Sequence, residues 1–361
     1  MAPAQEDLIN VFLRLQLWSR LTHVRIARED RAPTILDVAK AAGVSLPTVS
    51  RVLTGSTPVS DKKRELVLAA MKELGYRPNG AARALVQGRQ PIVGVLTEDV
   101  TSFGATRMIR SIEEQARQAG YVVAVAVMDP SELDETGSAL EVLLGQPIVG
   151  VVVLDFHRYN QESLLERLAG VSITTVTSDD EAGFRHVVID DRRAARELTE
   201  YLLSLGHRTV HHVSVPGNNG RLHPREVGWR EALGAAGAPV PDPIQTDWSI
   251  ESGRQAGAAL ARDRSVTAVL CANDELAFGV MRSLRDAGLS IPEDVSVAGM
   301  DDQPLADAWV PGLTSYRLDF DWAGAAALRL LLQPKRSRVA PDSTSFRLVP
   351  RGTTAAPNSA R

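Results

Sequence analysis

Apolar positions follow two rhythms along this chain. In TILDVAKAAGVSLPTVSRVL, residues 34–53, Ile35, Val38, Ala39 and Ala42 recur at helical spacing, which predicts a short helix that Gly43 ends. Val49, Val52 and Leu53 give a second helix its apolar side. Ser45 stands where its hydroxyl can cap that helix, and Pro47 falls in the first turn, where a missing N–H costs little. Two short helices across a tight glycine turn predict a helix-turn-helix, a motif whose second helix enters the DNA major groove. After the turn-rich TGSTPVS, Ser60 is placed to cap a third helix, about Asp61–Leu74, with Leu66, Val67, Ala70, Met71 and Leu74 as its apolar positions. Pro78 forbids continuing it, and Asn79 can cap a short further helix through Ala81, Ala82, Ala84 and Leu85.

From Pro91 the rhythm changes. Near-continuous, β-branched apolar runs (PIVGVLT, YVVAVAV, IVGVVVL, VSITTVT, HVVID) alternate with helical segments at Ala105–Ala119, Glu132–Leu144 and Gln161–Leu168. A second series follows a helix at Asp191–Leu205, with TVHHVSV, VTAVLC and VSVAG between helices near Pro224–Ala236, Glu251–Arg262 and Asn273–Ala287. Strands apolar on both faces and separated by helices predict buried, doubly wound parallel sheets, hence two α/β lobes. Ligands of such sheets bind outside the carboxyl ends of the strands.

Composition changes this picture little, but the placement of charge does. Of 361 residues, 44% are hydrophobic and 23% charged, ordinary for a globular protein. The one cysteine, Cys271, excludes an internal disulfide and a multi-cysteine metal site and fits a reducing compartment. No apolar run approaches the ~20 residues of a membrane span. The net charge of −4 argues against a general nucleic-acid binder, yet Thr34–Gly88 carries eight basic and four acidic residues, a net +4. Residues 1–33 add +1, so residues 89–361 carry −9. A basic head on an acidic body is the footprint of a local DNA-binding module. Leu8–Val24 is apolar but interrupted by Arg14 and Arg20, led by acids and followed by no small-residue cleavage site, so it does not read as a signal peptide. Residues 1–33 are read as an upstream extension without function, with a partner-binding amphipathic helix as the alternative.

The head resembles the N-terminus of the lactose/galactose repressor family of bacterial transcriptional regulators. The residues that carry the resemblance are Thr34, Asp37, Val38, Ala39, Ala42, Gly43, Val44, Ser45, Thr48, Val49, Ser50, Arg51 and Val52, then Pro58-Val59-Ser60 and LGYRPN at Leu74–Asn79. More loosely it runs to Ala356–Asn358, about nine-tenths of the chain. It implies an α/β fold class in which a three-helix head and hinge helix precede a two-lobed body like the periplasmic sugar-binding proteins. The expected domains are an extension at 1–33, a DNA-binding head at 34–78, a hinge helix and linker at 79–90, an effector-binding and dimerisation body at 91–356, and a tail at 357–361. Lobe 1 is expected at about 91–189 and 320–346, and lobe 2 at about 190–317 and 347–356.

By the same resemblance, Leu46 and Pro47 fall at operator-selecting positions and Arg51 at one that contacts base or backbone. Arginine suits guanine and an apolar side chain suits a thymine methyl. Thr48 and Ser50 are expected on phosphates, and Thr54 stands where the family often has asparagine. The hinge contributes Asn79, Ala82 and Leu85, the leucine as a minor-groove wedge of the kind that kinks a duplex. In the body, Arg225, Asn273 and Asp301 match residues that bind ligand hydroxyls, Trp248 one that stacks on a sugar ring, and Phe103 and Phe320 apolar walls. Carboxylate, amide and guanidinium around aromatic rings is what a polyhydroxylated ring requires. Thr177 and Leu318 depart from positions that are polar ligand contacts in the lactose-responsive branch of the family, so the pocket is not expected to be tuned to the same galactoside.

The implied protein is a cytoplasmic, dimeric regulator of a pseudo-palindromic operator, repressor being the family expectation, controlled by a small sugar. A purine or nucleoside effector remains an alternative, and so does a sugar-binding transport protein. No catalytic motif, cofactor, metal set or membrane partner is expected. His207, His211 and His212 have a metal-like spacing, but GHR resembles a structural turn of the family. Asp301 and Asp302 are adjacent and point differently, unlike a hydrolase pair.

Overall fold

The structure is a computed structural model that describes residues 33–54, 57–76, 92–129, 138–154, 161–178, 185–217, 220–333, 338–339 and 346–358. The extension at 1–33 falls outside these residues save Pro33, as does the hinge with Asn79, Ala82 and Leu85. The chain divides into two compact units, Met1–Gly88 and Arg89–Arg361.

In the first unit, α1 (Ile35–Ala41), α2 (Leu46–Thr54) and α3 (Asp61–Glu73) surround a core of Val38, Ala39, Ala42, Val49, Val67 and Ala70. Asp37 closes the start of α1, accepting from the Thr34 backbone N–H at 2.7 Å and the Thr34 hydroxyl at 2.6 Å. Gly43, at φ 62°, ends it. The Val44 N–H bonds the Ala39 carbonyl and the Gly43 N–H that of Lys40, a Schellman stop that needs the left-handed residue at its centre. The expected serine caps differ. The Ser45 hydroxyl pairs with the Thr48 hydroxyl at 2.9 Å, and Ser60 occupies the N-cap position of α3 without a side-chain cap bond. Leu66 is 46% exposed, because Val67, Ala70, Met71 and Leu74 make up the inward stripe of α3 and Leu66 lies one position off it.

The second unit holds two six-stranded sheets. In the first, β1 (Ile92–Thr97), β2 (Val122–Val127), β3 (Ile148–Val153), β4 (Ile173–Thr177), β5 (His186–Val188) and β11 (Arg338–Val339) run parallel in the order β11-β5-β4-β3-β1-β2. The second contains β6 (His211–Ser214), β7 (Ile244–Gln245), β8 (Ala268–Cys271), β9 (Ser296–Asp301), β10 (Thr314–Arg317) and β12 (Arg347–Val349), in the order β12-β10-β9-β8-β6-β7. Here the expectation of parallel strands needs one correction: the edge pair β10–β12 is antiparallel.

Both faces of the inner strands are buried, which is why they read as continuous apolar runs; the edge strand β2 departs from the expectation, since its neighbour covers one side only and Val122, Val125 and Val127 are exposed. Val93 and Val95 point to the side covered by α4 (Phe103–Gln118) and α12 (Phe320–Leu332). Leu96, Val151 and Val153 point to the other, under α5 (Ala139–Leu144) and α6 (Gln161–Arg167). In the second sheet Ala268, Leu270, Ala298 and Met300 face α7 (Asp191–Ser204) and α8 (Pro224–Ala235). Val269, Cys271 and Val297 face α9 (Ile250–Leu260) and α10 (Asp274–Asp286), and the short α11 (Pro304–Ala308) adds Ala306 on that side. The chain passes between the sheets after β5, through Ile189–Asp190 into α7, and after β10, through Leu318–Asp319 into α12. No helix among the described residues is long and apolar enough to cross a membrane.

Candidate functional site

In the first unit, burial of Val49 turns the opposite side of α2 outward. Leu46, Pro47 and Arg51 are exposed, and Thr48 and Ser50 are half-buried. Thr54 ends the helix. Lys40, Lys62, Lys63, Arg64 and Lys72 are exposed as well, so the basic residues of the head stand at its surface. This arrangement can place a short helix against base edges while cations meet phosphates.

The second unit has a cavity of about 500 Å³ that draws residues from both sheets. Phe103, Arg225, Trp248, Asn273, Asp301 and Phe320 all line it. Asp301 ends β9, Asn273, Trp248 and Phe320 follow strands within three residues, and Phe103 and Arg225 sit at the starts of the helices after β1 and β6, the edge at which a doubly wound sheet opens its crevice. Asn273 follows β8 and caps α10: its Oδ1 accepts from the Leu276 N–H at 2.8 Å, and its Nδ2 donates to the Trp248 carbonyl at 3.4 Å. Phe103 and Phe320 begin α4 and α12 and meet edge to face, with centroids 6.0 Å apart. Gly104 makes room for them, since a Cβ there would lie 2.8 Å from the Phe320 ring.

Arg225 is buried at the start of α8. Its Nε donates to Asp191 at 3.0 Å, Nη1 donates to the Ala272 carbonyl, and Nη2 reaches Asp301 at 3.5 Å. Its guanidinium lies 5.3 Å from the Trp248 ring centre, and the His223 ring packs edge-on against the same indole at 5.5 Å. Trp248 is therefore already partly covered by protein, a restriction on ligand stacking that the sequence did not disclose. Asp301 ends β9 at φ 111° and Asp302 follows at φ 52°, two consecutive non-glycine residues in the left-handed half of φ space. Burial pushes the Asp301 carboxyl well above the usual range; Arg225 pulls it down, and Asp274, Glu275 and Asp191 push it up again. Asp302 points elsewhere, to Arg317 and Arg351.

Five acids of the cavity were not singled out from the sequence: Glu98, Asp99, Asp191, Asp247 and Glu275. Asp99 accepts from the Thr101 N–H, the Thr101 hydroxyl and the Ser102 N–H at 2.6–2.9 Å. Burial raises its carboxyl, but these bonds prevail and hold it below the ordinary range. The Ser249 hydroxyl and N–H and the Ser252 hydroxyl hold Asp247 low in the same way. Asp191 had a legible signal, for it follows a buried strand and begins a helix. Thr177 and Leu318 are buried and do not line this cavity; Leu318 faces a neighbouring one of about 550 Å³ behind Phe103, Asp301 and Phe320.

Two of the three histidines are separately engaged. His207 bonds Thr267, Ser296 and the Ala355 carbonyl, and His212 bonds the Leu270 carbonyl. Among the described residues no group of three His, Cys, Asp or Glu could hold a metal ion.

Comparison with known proteins separates the same two parts. The profile of bacterial regulatory proteins of the lacI family matches residues 34–79, and that of the periplasmic binding protein-like domain matches residues 199–354. The chain is 31% identical over 330 residues to the lactose operon repressor of Escherichia coli (strain K12), covering 90% of this chain and 91% of that one. Its fold is similar to the crystal structure of the lac repressor dimer bound to operator and the anti-inducer ONPF, with a TM-score of 0.80, 28% identity, and coverage of 90% and 100% of the two chains. It is also similar to the complex of the transcriptional regulator CelR with cellobiose, with a TM-score of 0.63, 29% identity, and coverage of 89% and 99%.

Proposed function

The chain belongs to the lacI family of bacterial regulatory proteins, and from that premise we propose that it is a DNA-binding transcriptional regulator, a repressor in its default action, controlled by a sugar in the cavity of its second unit. Two heads of a cytoplasmic homodimer read a pseudo-palindromic operator with half-sites about one helical turn apart. Leu46, Pro47 and Arg51 contact bases, and Thr48, Ser50 and Thr54 contact the backbone. Asn79, Ala82 and Leu85 carry the hinge contacts. The sugar is held by Arg225, Asn273 and Asp301 between the rings of Trp248, Phe103 and Phe320. It acts by binding one arrangement of the lobes more tightly than the other, which is what shifts a population. The protein binds and does not catalyse.

The observation that carries this reading is the convergence of six residues, chosen for hydroxyl and ring recognition, on one cavity at the carboxyl ends of the strands. The test is a thermal-shift screen of the full chain against mono- and disaccharides, with purines as the contrasting arm. A ligand at 100 times its dissociation constant adds about 2.7 kcal/mol of stability. A sugar hit that also alters retention of a palindromic duplex supports the reading. A purine hit with silent sugars, or a sugar hit without any salt-dependent duplex binding, overturns it.

A further inference from the structure

Among the described residues, the proposed effector cavity is lined by six carboxylates, Glu98, Asp99, Asp191, Asp247, Glu275 and Asp301, and by one arginine and no lysine. That arginine has little to offer an anion. The Nε of Arg225 is bonded to Asp191, Nη1 to the Ala272 carbonyl and Nη2 to Asp301, and its plane lies over Trp248. Two carboxylates thus face one guanidinium, and Glu98, Asp99, Asp247 and Glu275 add to the negative side. A phosphate or carboxylate on a ligand would enter a field of its own sign without a free donor fork to receive it.

Asp301 gives an independent observation. Its side chain is 9% exposed, yet the one hydrogen bond it takes among the described residues is the 3.5 Å contact from Arg225. A buried carboxyl so thinly partnered lacks donors. Among the described residues, the charged groups that act on it most strongly are Arg225 from α8, Asp191 from α7, and Asp274 and Glu275 from α10. Three of these four are acids, so what the site lacks is a group that donates hydrogen bonds and carries positive charge. A sugar hydroxyl supplies the donor alone; an ammonium supplies three donors and the charge.

We propose that the cavity selects an amino sugar, its ammonium received by Asp301 and Glu275 and its ring bounded by Trp248, Phe103 and Phe320. This rests on the reading of the cavity as the effector site, and it narrows the ligand from polyols in general to polyols bearing a protonated amine.

The experiment is titration calorimetry of the full chain near neutral pH with matched sets: glucose, galactose and cellobiose; their 2-amino counterparts glucosamine, galactosamine and chitosan disaccharide; N-acetylglucosamine; and glucose 6-phosphate. Each is run at low and at high salt. The expected result is that at least one amino member binds about tenfold or more tighter than its parent sugar. Its preference should shrink at high salt. Acetylation of the amine abolishes the preference. Glu275→Gln, at a half-buried position, and Asp301→Asn each reduce it, the former without loss of fold. A parent sugar that binds as tightly as its amino counterpart overturns the inference while leaving the effector reading intact, and so does tighter binding of the phosphate. Silence from every carbohydrate overturns both.

Discussion

Asp302 is the anchor of the strained end of β9, and Asp302→Asn tests that role. Its side chain is 1% exposed. Arg317 Nε donates to Oδ2 at 2.7 Å, and Arg351 Nη2 lies 2.6 Å from Oδ1. The Asp302 N–H donates to the Ser315 hydroxyl at 3.0 Å. Together these fix a residue at φ 52° directly after Asp301 at φ 111°, and so fix the direction in which Asp301 meets the cavity. Removing one charge from a fully buried pair costs roughly 3–5 kcal/mol. Arg317 is 41% exposed, so its share is screened, while Arg351 at 14% is not. Asparagine also keeps one acceptor. The expected loss is about 2–3 kcal/mol, which at about 2–4 °C per kcal/mol for a unit of this size lowers Tm by about 4–12 °C.

The assay is thermal unfolding without ligand, for Asp302→Asn, Arg351→Ala and the double variant. If the pair is coupled, the double variant falls short of the sum of the singles by about 1 kcal/mol or more. Calorimetry of the bound sugar reports the second half of the argument, because an Asp301 released from its anchor should cost about tenfold in affinity. A melt unchanged by Asp302→Asn, or a fully additive cycle, refutes the reasoning. A lowered melt with unchanged affinity confines Asp302 to stability and removes it from the positioning of Asp301.

Three further outcomes are expected. Trp248→Ala removes a half-buried ring of the cavity and should abolish the effector's influence on DNA while leaving ligand-free duplex binding intact, read by fluorescence anisotropy of a labelled operator. Arg51→Ala, at an exposed position of α2, should leave Tm unchanged and weaken specific binding by about 1–3 kcal/mol; equal loss on specific and random duplexes would mark it as a phosphate contact. Burial, against the bond to the Leu270 carbonyl, lowers the His212 imidazole to about 4, below its ordinary range. The unfolded chain then binds the extra proton between about pH 6.5 and 4, so stability falls with pH across that window. Relative to His212→Phe, the wild type should lose about 3 kcal/mol from pH 7 to pH 4 in denaturant titrations, and a difference that stays constant would contradict the buried, neutral imidazole.

The fold was legible where one constraint dominates. Strands buried on both faces must be apolar at every position, so β1, β3, β8 and β9 stand out as unbroken runs. Gly43 is legible because a Schellman stop requires its backbone. What escaped were mostly elements too short to carry a period, β7 and β11 with two residues, β12 with three, β10 with four and α11 with five; α12 escaped despite its thirteen residues, because Phe320, Ala323, Gly324, Ala326, Ala327, Leu328, Leu330 and Leu331 are buried nearly all round it and leave no clear polar face. The antiparallel edge escaped with them, since three residues of β12 cannot announce their direction. Leu66 misled because it adjoins Val67, and an apolar pair on a helix does not say which member faces inward.

The site was half legible, and the missing half was of one kind. Trp248, Asn273 and Phe320 were found because they match pocket positions of the resembling family, and the strand-to-helix junction at Asn273 added a reason of its own. Acids in the same place have another reason. Asp191 and Glu275 fall in the first turns of α7 and α10, where the helix dipole favours negative charge, and Asp99 and Asp247 close tight turns with their own backbone neighbours. Each reads, alone, as a cap or a turn. In a doubly wound sheet, however, helix N-termini and ligand crevices coincide, because both lie at the carboxyl ends of the strands. A carboxylate placed there to cap a helix also faces the crevice, at no further structural cost. The sign of the cavity's charge is therefore a sum over positions that each have an adequate local explanation, and only their convergence on one volume turns four helix starts and turns into a field that discriminates between an amine and a phosphate.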